Sequence, residues 1–110
     1  MAPRLVASHL LKAVHWWTDV GIGSFELFYL RDKAKREVDF LVARDGKPWF
    51  LVEAKSSRGP ISPSLHYYQR ETGADHAFQV VMDAEYVEAD CFATTSPTIV
   101  PASTLLLQLV

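Results

Sequence analysis

The sequence predicts an α/β domain in which a mixed sheet is covered by helices on both faces. Two apolar runs rich in β-branched and aromatic residues, 38–42 and 49–52, lie within predicted strands at 37–42 and 49–55, which flank Asp45 and Gly46. This dipeptide is typical of a tight turn, so the runs predict an antiparallel hairpin. One helical pattern precedes the hairpin, and a second pattern followed by another apolar run comes after it. That last run can enter the sheet parallel to its neighbour through a right-handed crossover.

Residues 4–19 form the first predicted helix, because apolar side chains recur there at helical spacing. These are Val6, Leu10, Ala13, Val14 and Trp17. A loop containing Gly21 and Gly23 follows and ends the helix. Residues 24–31 then carry apolar side chains on both faces of a predicted strand, which is typical of a strand covered on each side.

The two hairpin strands carry acids where a buried strand is expected to be apolar. Side chains alternate between the faces of a strand, so Glu37 and Asp39 are predicted to share one face. Glu53 and Lys55 share a face of the next strand by the same rule. Carboxylates gathered in an apolar setting repel each other and lose hydration, which favours neutralisation by a proton, a cation or a metal.

The second half of the chain begins with clear helix signals. Ser62 is a candidate N-cap, Pro63 suits the first helical position, and Gly73 suits the stop after a helix that runs to about Thr72. Residues 76–82 predict an interior strand.

The last part of the chain predicts a small β-and-helix extension. Residues 83–90 are polar and predict a solvated loop, and residues 91–93 predict a short strand. Residues 98–100 predict another strand, and residues 101–109 a C-terminal helix. Cys91 is the single cysteine, so it forms no internal disulfide and is expected to be buried.

The composition of the 110 residues indicates one domain over 1–110, with a hydrophobic fraction of 49% that suffices for a core. The net charge of −2 argues against a nonspecific coat for nucleic acid, although a local basic patch could still bind it. No run is long and apolar enough for a membrane span, and no signal-peptide pattern opens the sequence. We therefore expect a cytoplasmic protein without a membrane partner.

Asp39 followed by Glu53, Ala54 and Lys55 resembles the D…ExK signature of the PD-(D/E)xK nuclease superfamily. The resemblance implies the restriction-endonuclease-like fold, with an αβββαβ core, a mixed central sheet and flanking helices. The element order predicted above is the same, with the acid on the second strand and ExK on the third.

More narrowly, residues 5–11, 31–41 and 53–56 resemble the C-terminal domain of unknown function in prokaryotic AAA+ ATPases, and the resemblance covers most of residues 5–82. It implies an AAA+ ATPase module in a longer parent chain, of which this is a C-terminal fragment, since no GxxxxGK[ST] phosphate loop occurs here. The family often has a metal-binding glutamate on its first helix. That position falls near residues 3–4, which are proline and arginine.

The nuclease resemblance implies a divalent ion, Mg²⁺ or Mn²⁺, held by Asp39, Glu53 and the carbonyl of Ala54. Such hard ions prefer oxygen ligands, polarise a phosphate and lower the pKa of a bound water. Lys55 is then expected to neutralise charge on the phosphate or to orient the attacking water. Glu37 is expected to act as an additional metal ligand or to contact the residues that bind the metal.

Gln69, on the helix after the signature, resembles an accessory catalytic position in some nuclease relatives. The plainer alternative for the acidic group is a solvent-facing patch in which Glu37 and Lys55 simply pair. The sequence is therefore compatible with two functions. One is a metal-dependent phosphodiesterase acting on DNA or another nucleic acid; the other is a degenerate nuclease fold that serves as a non-enzymatic binding or regulatory module.

A dense basic run, with Arg31, Lys33, Lys35 and Arg36, leads into the acidic strand. It is either a solvated turn or a loop that contacts the phosphates of a nucleic acid. The missing start of the first helix also suggests an exchanged element or a homodimer.

Overall fold

The computed structural model describes residues 2–31 and 37–109. Its elements are, in order, α1 (Ala2–Asp19), β1 (Phe25–Arg31), β2 (Glu37–Arg44), β3 (Lys47–Lys55), α2 (Pro63–Thr72), β4 (His76–Val81), a short 3-10 helix (Cys91–Ala93), β5 (Thr98–Pro101) and α3 (Ala102–Leu109). The predicted α/β class is confirmed, and the predicted helices and strands lie within a few residues of their expected bounds, except for the strand predicted at 91–93.

The five strands form one mixed sheet in the order β1-β2-β3-β4-β5. The first three strands pair antiparallel, whereas β3, β4 and β5 run parallel to one another. The hairpin between β2 and β3 is confirmed, with φ of 52° at Asp45 and 80° at Gly46. Positive φ at both central residues is what a type I′ turn requires, and it explains the Asp-Gly pair.

Helices cover both faces of the sheet. On one face, α1 and α3 bury an apolar cluster with the sheet that includes Val6, Leu10, Leu105, Phe40, Phe50 and Phe78. On the other face, α2 packs Leu65 and Tyr68 against Val38, Leu51 and Ala77. Among the helices of the described residues, none combines the length and apolarity that crossing a bilayer needs.

The N-terminal end of α2 has the predicted cap. Ser62 is extended, with φ −61° and ψ 133°, and its hydroxyl accepts a hydrogen bond from the Ser64 amide. Gly73 ends the helix in the left-handed conformation, with φ 73°, and its amide donates to Gln69 O. These two residues fix where α2 begins and ends relative to β3 and β4.

Two expectations are wrong. Residues 91–93 form a 3-10 turn and not a strand, because the Asp90 carboxylate accepts from the Phe92 amide and caps a helical turn. β1 is an edge strand and is not covered on both faces, since the side chains of Phe28 and Tyr29 are 42% and 71% exposed. Cys91 is buried as expected, and burial raises the pKa of its thiol.

Candidate functional site

A β-bulge in β2 sets the position of Asp39. Tyr29 of β1 pairs with Phe40 and Leu30 pairs with Val38, so Asp39 is the extra residue between them. A bulge bends its strand and redirects the side chain that it carries. Here the bulge lies at Asp39, one of the acidic residues that the sequence predicts for the site.

The bulge also interrupts the alternation of side chains along β2, on which the shared face of Glu37 and Asp39 was predicted. Val38 packs in the cluster under α2, whereas Phe40, two residues later, packs in the cluster under α1 and α3. Strict alternation would place both on one face. The shared face of Glu37 and Asp39 therefore does not follow from their spacing, and the Glu37 side chain lies outside the described part of the structure.

The Asp39 carboxylate is held by the neighbouring strand. The regular pairing of β2 with β3 has Phe40 and Val52 as its last pair on this side. Beyond that pair, the Ala54 amide donates to Asp39 Oδ2 at 2.7 Å. A side-chain oxygen thus takes the place of a backbone acceptor, and it fixes the half-buried Asp39 carboxylate beside the end of β3.

Glu53 is the most unusual polar residue among those described. The residue is only 7% exposed, and its Oε2 lies 2.9 Å from the Lys55 ammonium. Its other oxygen, Oε1, is buried and has no hydrogen-bond partner among the described residues. An unsatisfied buried carboxylate oxygen is unfavourable, because a charged group loses its hydration without a compensating contact.

Lys55 lies at the exposed end of β3, with 44% of its side chain accessible. The contact with Glu53 confirms that these two residues share a face of β3. The Lys55 ammonium therefore stands between a buried carboxylate and solvent, where it can contact a bound anion.

Gln79 is a buried polar residue that the sequence analysis missed. The parallel register of β3 and β4 places Gln79 directly beside Glu53, and Gln79 is 1% exposed. Its Oε1 accepts from the Ser62 amide at 2.8 Å, and its Nε2 donates to the Pro60 carbonyl at 3.0 Å. Gln79 thus anchors the loop that leads from Lys55 into α2. A lone polar residue inside an apolar strand was the available signal.

A groove of about 340 Å³ lies at this end of the sheet. Its lining includes Lys55, Ser57, Gly59, Ser62 and Gln79. Ser62 and Pro63 bring the start of α2 to the groove, but its amides are already satisfied by the Ser62 cap. Prolines and an isoleucine line the groove together with these polar residues, and the Lys55 ammonium is the charged group in the lining that can attract an anion.

The structure does not bring Gln69 to this groove. Its Nε2 donates to the carbonyls of Ala74 and Thr95, which ties the last turn of α2 to the loop before β5. Lys55 and Ser62 lie at the opposite end of α2. The basic run falls at residues 32–36 and at the side chain of Arg31, all outside the described part.

Asp39 and Glu53 are the candidate ligands for a hard divalent ion, and they form a small set. Within residues 2–31 and 37–109, no three His, Cys, Asp or Glu side chains are grouped so that they could hold a metal. Asp39 and Glu53 supply two carboxylates, and the Ala54 carbonyl lies between Glu53 and Lys55 in the chain. Mg²⁺ is commonly held by only one or two carboxylates plus waters and phosphate oxygens. The buried Oε1 of Glu53, which has no hydrogen-bond partner among the described residues, is the atom that such an ion would satisfy.

Comparison with known proteins gives one family. A family model described as "Domain of unknown function (DUF4143)" matches residues 3–101, nearly the whole chain. No curated protein and no solved structure matches. The chain belongs to the DUF4143 family.

Proposed function

We propose that this domain is a divalent-metal-dependent phosphodiesterase of the PD-(D/E)xK type, acting on DNA or another nucleic acid. The observation that carries the proposal is the environment of Glu53. One of its oxygens contacts the Lys55 ammonium at 2.9 Å, and the other is buried and without a hydrogen-bond partner among the described residues.

A structural ion pair alone does not account for this environment. Lys55 is accessible to solvent, so it could hold an exposed glutamate equally well, and exposed pairs of this kind contribute little to stability. Burial of a carboxylate adds a desolvation cost, which is offset only when its oxygens have partners. A cation at Oε1 supplies the missing partner, whereas Lys55 already occupies Oε2.

The residues that would hold Mg²⁺ or Mn²⁺ are Asp39, Glu53 and, through its carbonyl, Ala54. When bound, such an ion lowers the pKa of a water and polarises the scissile phosphate. The protein positions these ligands beforehand, because the Ala54 amide holds Asp39 Oδ2 and the Lys55 ammonium holds Glu53 Oε2. Lys55 stabilises the negative charge that develops on the phosphate during attack.

The element order supports the finer fold that this proposal includes. α1, the antiparallel strands β1, β2 and β3, α2 and the parallel strand β4 follow one another as in the αβββαβ core of the restriction-endonuclease-like fold. The two acids lie on the second and third strands of that order. An AAA+ ATPase module in the parent chain and nucleic-acid contacts by the basic run at 31–36 belong to the same proposal.

A second candidate function is a non-enzymatic binding or regulatory module on the same fold. Two observations favour it: residues 3–4 do not include the glutamate that the nuclease relatives often carry, and no three-ligand group occurs among the described residues. The two candidates differ in one respect that can be measured, which is phosphodiester cleavage dependent on Lys55.

The experiment is a cleavage assay with labelled single-stranded and double-stranded DNA and RNA, in Mg²⁺ and in Mn²⁺. We compare the wild type with Lys55→Ala and with Lys47→Ala, which removes an exposed lysine from the other end of β3. The phosphodiesterase predicts cleavage by the wild type and by Lys47→Ala, and none by Lys55→Ala. Lack of cleavage by the wild type in both ions, or equal cleavage by all three proteins, would contradict it.

A further inference from the structure

β1 is an edge strand with an open backbone and exposed aromatic side chains. It spans seven residues, Phe25–Arg31, and β2 is its one partner strand within the described part of the chain. The stretch from Leu27 to Leu30 holds no charge and no proline, and Tyr29 is 71% exposed. Natural edge strands are usually shortened, charged or covered, because an open edge recruits another strand.

The other edge of the sheet is protected. β5 has only four residues and ends at Pro101, whose nitrogen carries no hydrogen-bond donor. The contrast singles out β1 as the edge that is free to pair.

Two hydrogen bonds fix the direction of the β1 backbone. The Ser24 carbonyl accepts from the Asp45 amide at 2.6 Å and so faces β2. The Phe25 amide donates to Thr18 Oγ1 at 3.1 Å and so faces away from β2. Backbone groups of successive strand residues point to alternate sides.

The outward backbone groups therefore belong to Leu27 and Tyr29. The bulge at Asp39 adds its extra residue to β2 and leaves the alternation along β1 intact. Phe28, between them, directs its N–H and C=O toward β2. Leu27 and Tyr29 thus lie symmetrically about Phe28, with their donors and acceptors open to a partner.

We propose that the β1 edge pairs with the β1 edge of a second copy of this chain. The strands run antiparallel about a two-fold axis at Phe28, so that Leu27 exchanges both backbone hydrogen bonds with the partner's Tyr29, and Tyr29 does so with the partner's Leu27. The two five-stranded sheets then become continuous across the axis. The occupant is a second copy because this spacing makes the edge complementary to itself.

The side chains agree with this register. Leu27 and Tyr29 lie on the α1 side of the sheet, since Leu27 packs on the cluster there and the Tyr29 ring meets Phe40 at 5.3 Å. Directly opposed residues in the dimer therefore lie on the same face, as antiparallel pairing requires. Phe28, which is 42% exposed, meets the partner's Phe28 at the axis, where an aromatic cross-strand pair adds stability.

The test is the mass in solution, measured by sedimentation equilibrium over a wide range of concentration. We expect the wild type to approach twice the chain mass of 12.4 kDa as concentration rises. Tyr29→Pro removes an outward N–H that the monomer does not use, and proline is tolerated on an edge. It should weaken the dimer by roughly tenfold or more, because each subunit loses a hydrogen bond at the interface.

Tyr29→Thr is the matched control, because it removes the same ring from Phe40 but keeps the amide, and it should dimerise more strongly than Tyr29→Pro. Phe28→Lys is a second disruptor, since it places two like charges directly opposite each other at the axis. Circular dichroism checks that each variant folds. A wild type that stays monomeric at every concentration, or a dimer unaffected by both Phe28→Lys and Tyr29→Pro, would overturn the proposal.

Discussion

Replacement of Asp39 by alanine and by asparagine separates its role in the fold from its charge. In the structure, Asp39 Oδ2 accepts from the Ala54 amide at 2.7 Å where the regular pairing of β2 and β3 has stopped. Alanine leaves that amide without its acceptor. Asparagine keeps a side-chain oxygen of the same reach, and it removes the negative charge.

The size of the effect follows from this hydrogen bond. A hydrogen bond to a charged group contributes about 1.5–3 kcal/mol, and half-burial of Asp39 places the expected loss for alanine at about 1–2 kcal/mol. For a domain of this size each kcal/mol corresponds to about 4 °C in melting temperature, so Asp39→Ala should melt about 4–8 °C lower. Asp39→Asn should retain at least about half of the lost stability, because the neutral amide oxygen still accepts.

The assay is thermal and urea unfolding without added metal, followed by circular dichroism. Asp75→Ala serves as the control, because Asp75 is an exposed aspartate in the loop before β4 and its loss should change stability little. If Asp39→Ala is as stable as the wild type, or if Asp39→Asn is destabilised as much as Asp39→Ala, the hydrogen bond to Ala54 does not hold the strand ends as described.

Other variants test the site and its surroundings. Glu53→Gln removes a buried charge, so its metal-free melting temperature should equal or exceed that of the wild type, while Mn²⁺ at a hundred times its dissociation constant should raise only the wild type, by about 2.7 kcal/mol or roughly 10 °C. Lys33→Glu combined with Lys35→Glu should weaken DNA binding and reduce its dependence on salt in a filter-binding titration. Unchanged binding would show that the basic run does not contact the DNA. Cys91 should react slowly with iodoacetamide at neutral pH, because burial raises its thiol pKa and the thiolate is the reactive form; alkylation as fast as that of a free thiol would contradict its burial.

Local signals in the sequence predicted much of the fold. Asp45 and Gly46 predicted the hairpin, since the tight turn requires positive φ at both central residues and few residue pairs adopt it without strain. Ser62 and Gly73 fixed the ends of α2 by capping, which depends on a few neighbouring atoms. The contact of Glu53 with Lys55 followed from alternation along an unbroken stretch of β3.

The features that escaped prediction depend on contacts between distant segments. The bulge at Asp39 arises from the register between β1 and β2, which no pattern within β2 specifies. The position of Gln79 beside Glu53 depends on the register between β3 and β4, so its polar side chain in an apolar strand did not by itself indicate this neighbour. The exposure of Tyr29 depends on the order of strands in the sheet, because apolar composition alone does not distinguish an edge strand from a covered one.

Direct binding of Mn²⁺, followed by the loss of the free-ion electron paramagnetic resonance signal, tests the metal site most directly. The proposed site predicts that the wild type and Lys55→Ala bind the ion, whereas Glu53→Gln and Asp39→Asn bind it far more weakly. This follows because the two carboxylates are ligands and the ammonium is not. Binding that is absent from the wild type, or unchanged in both carboxylate variants, would contradict a metal site at Asp39 and Glu53.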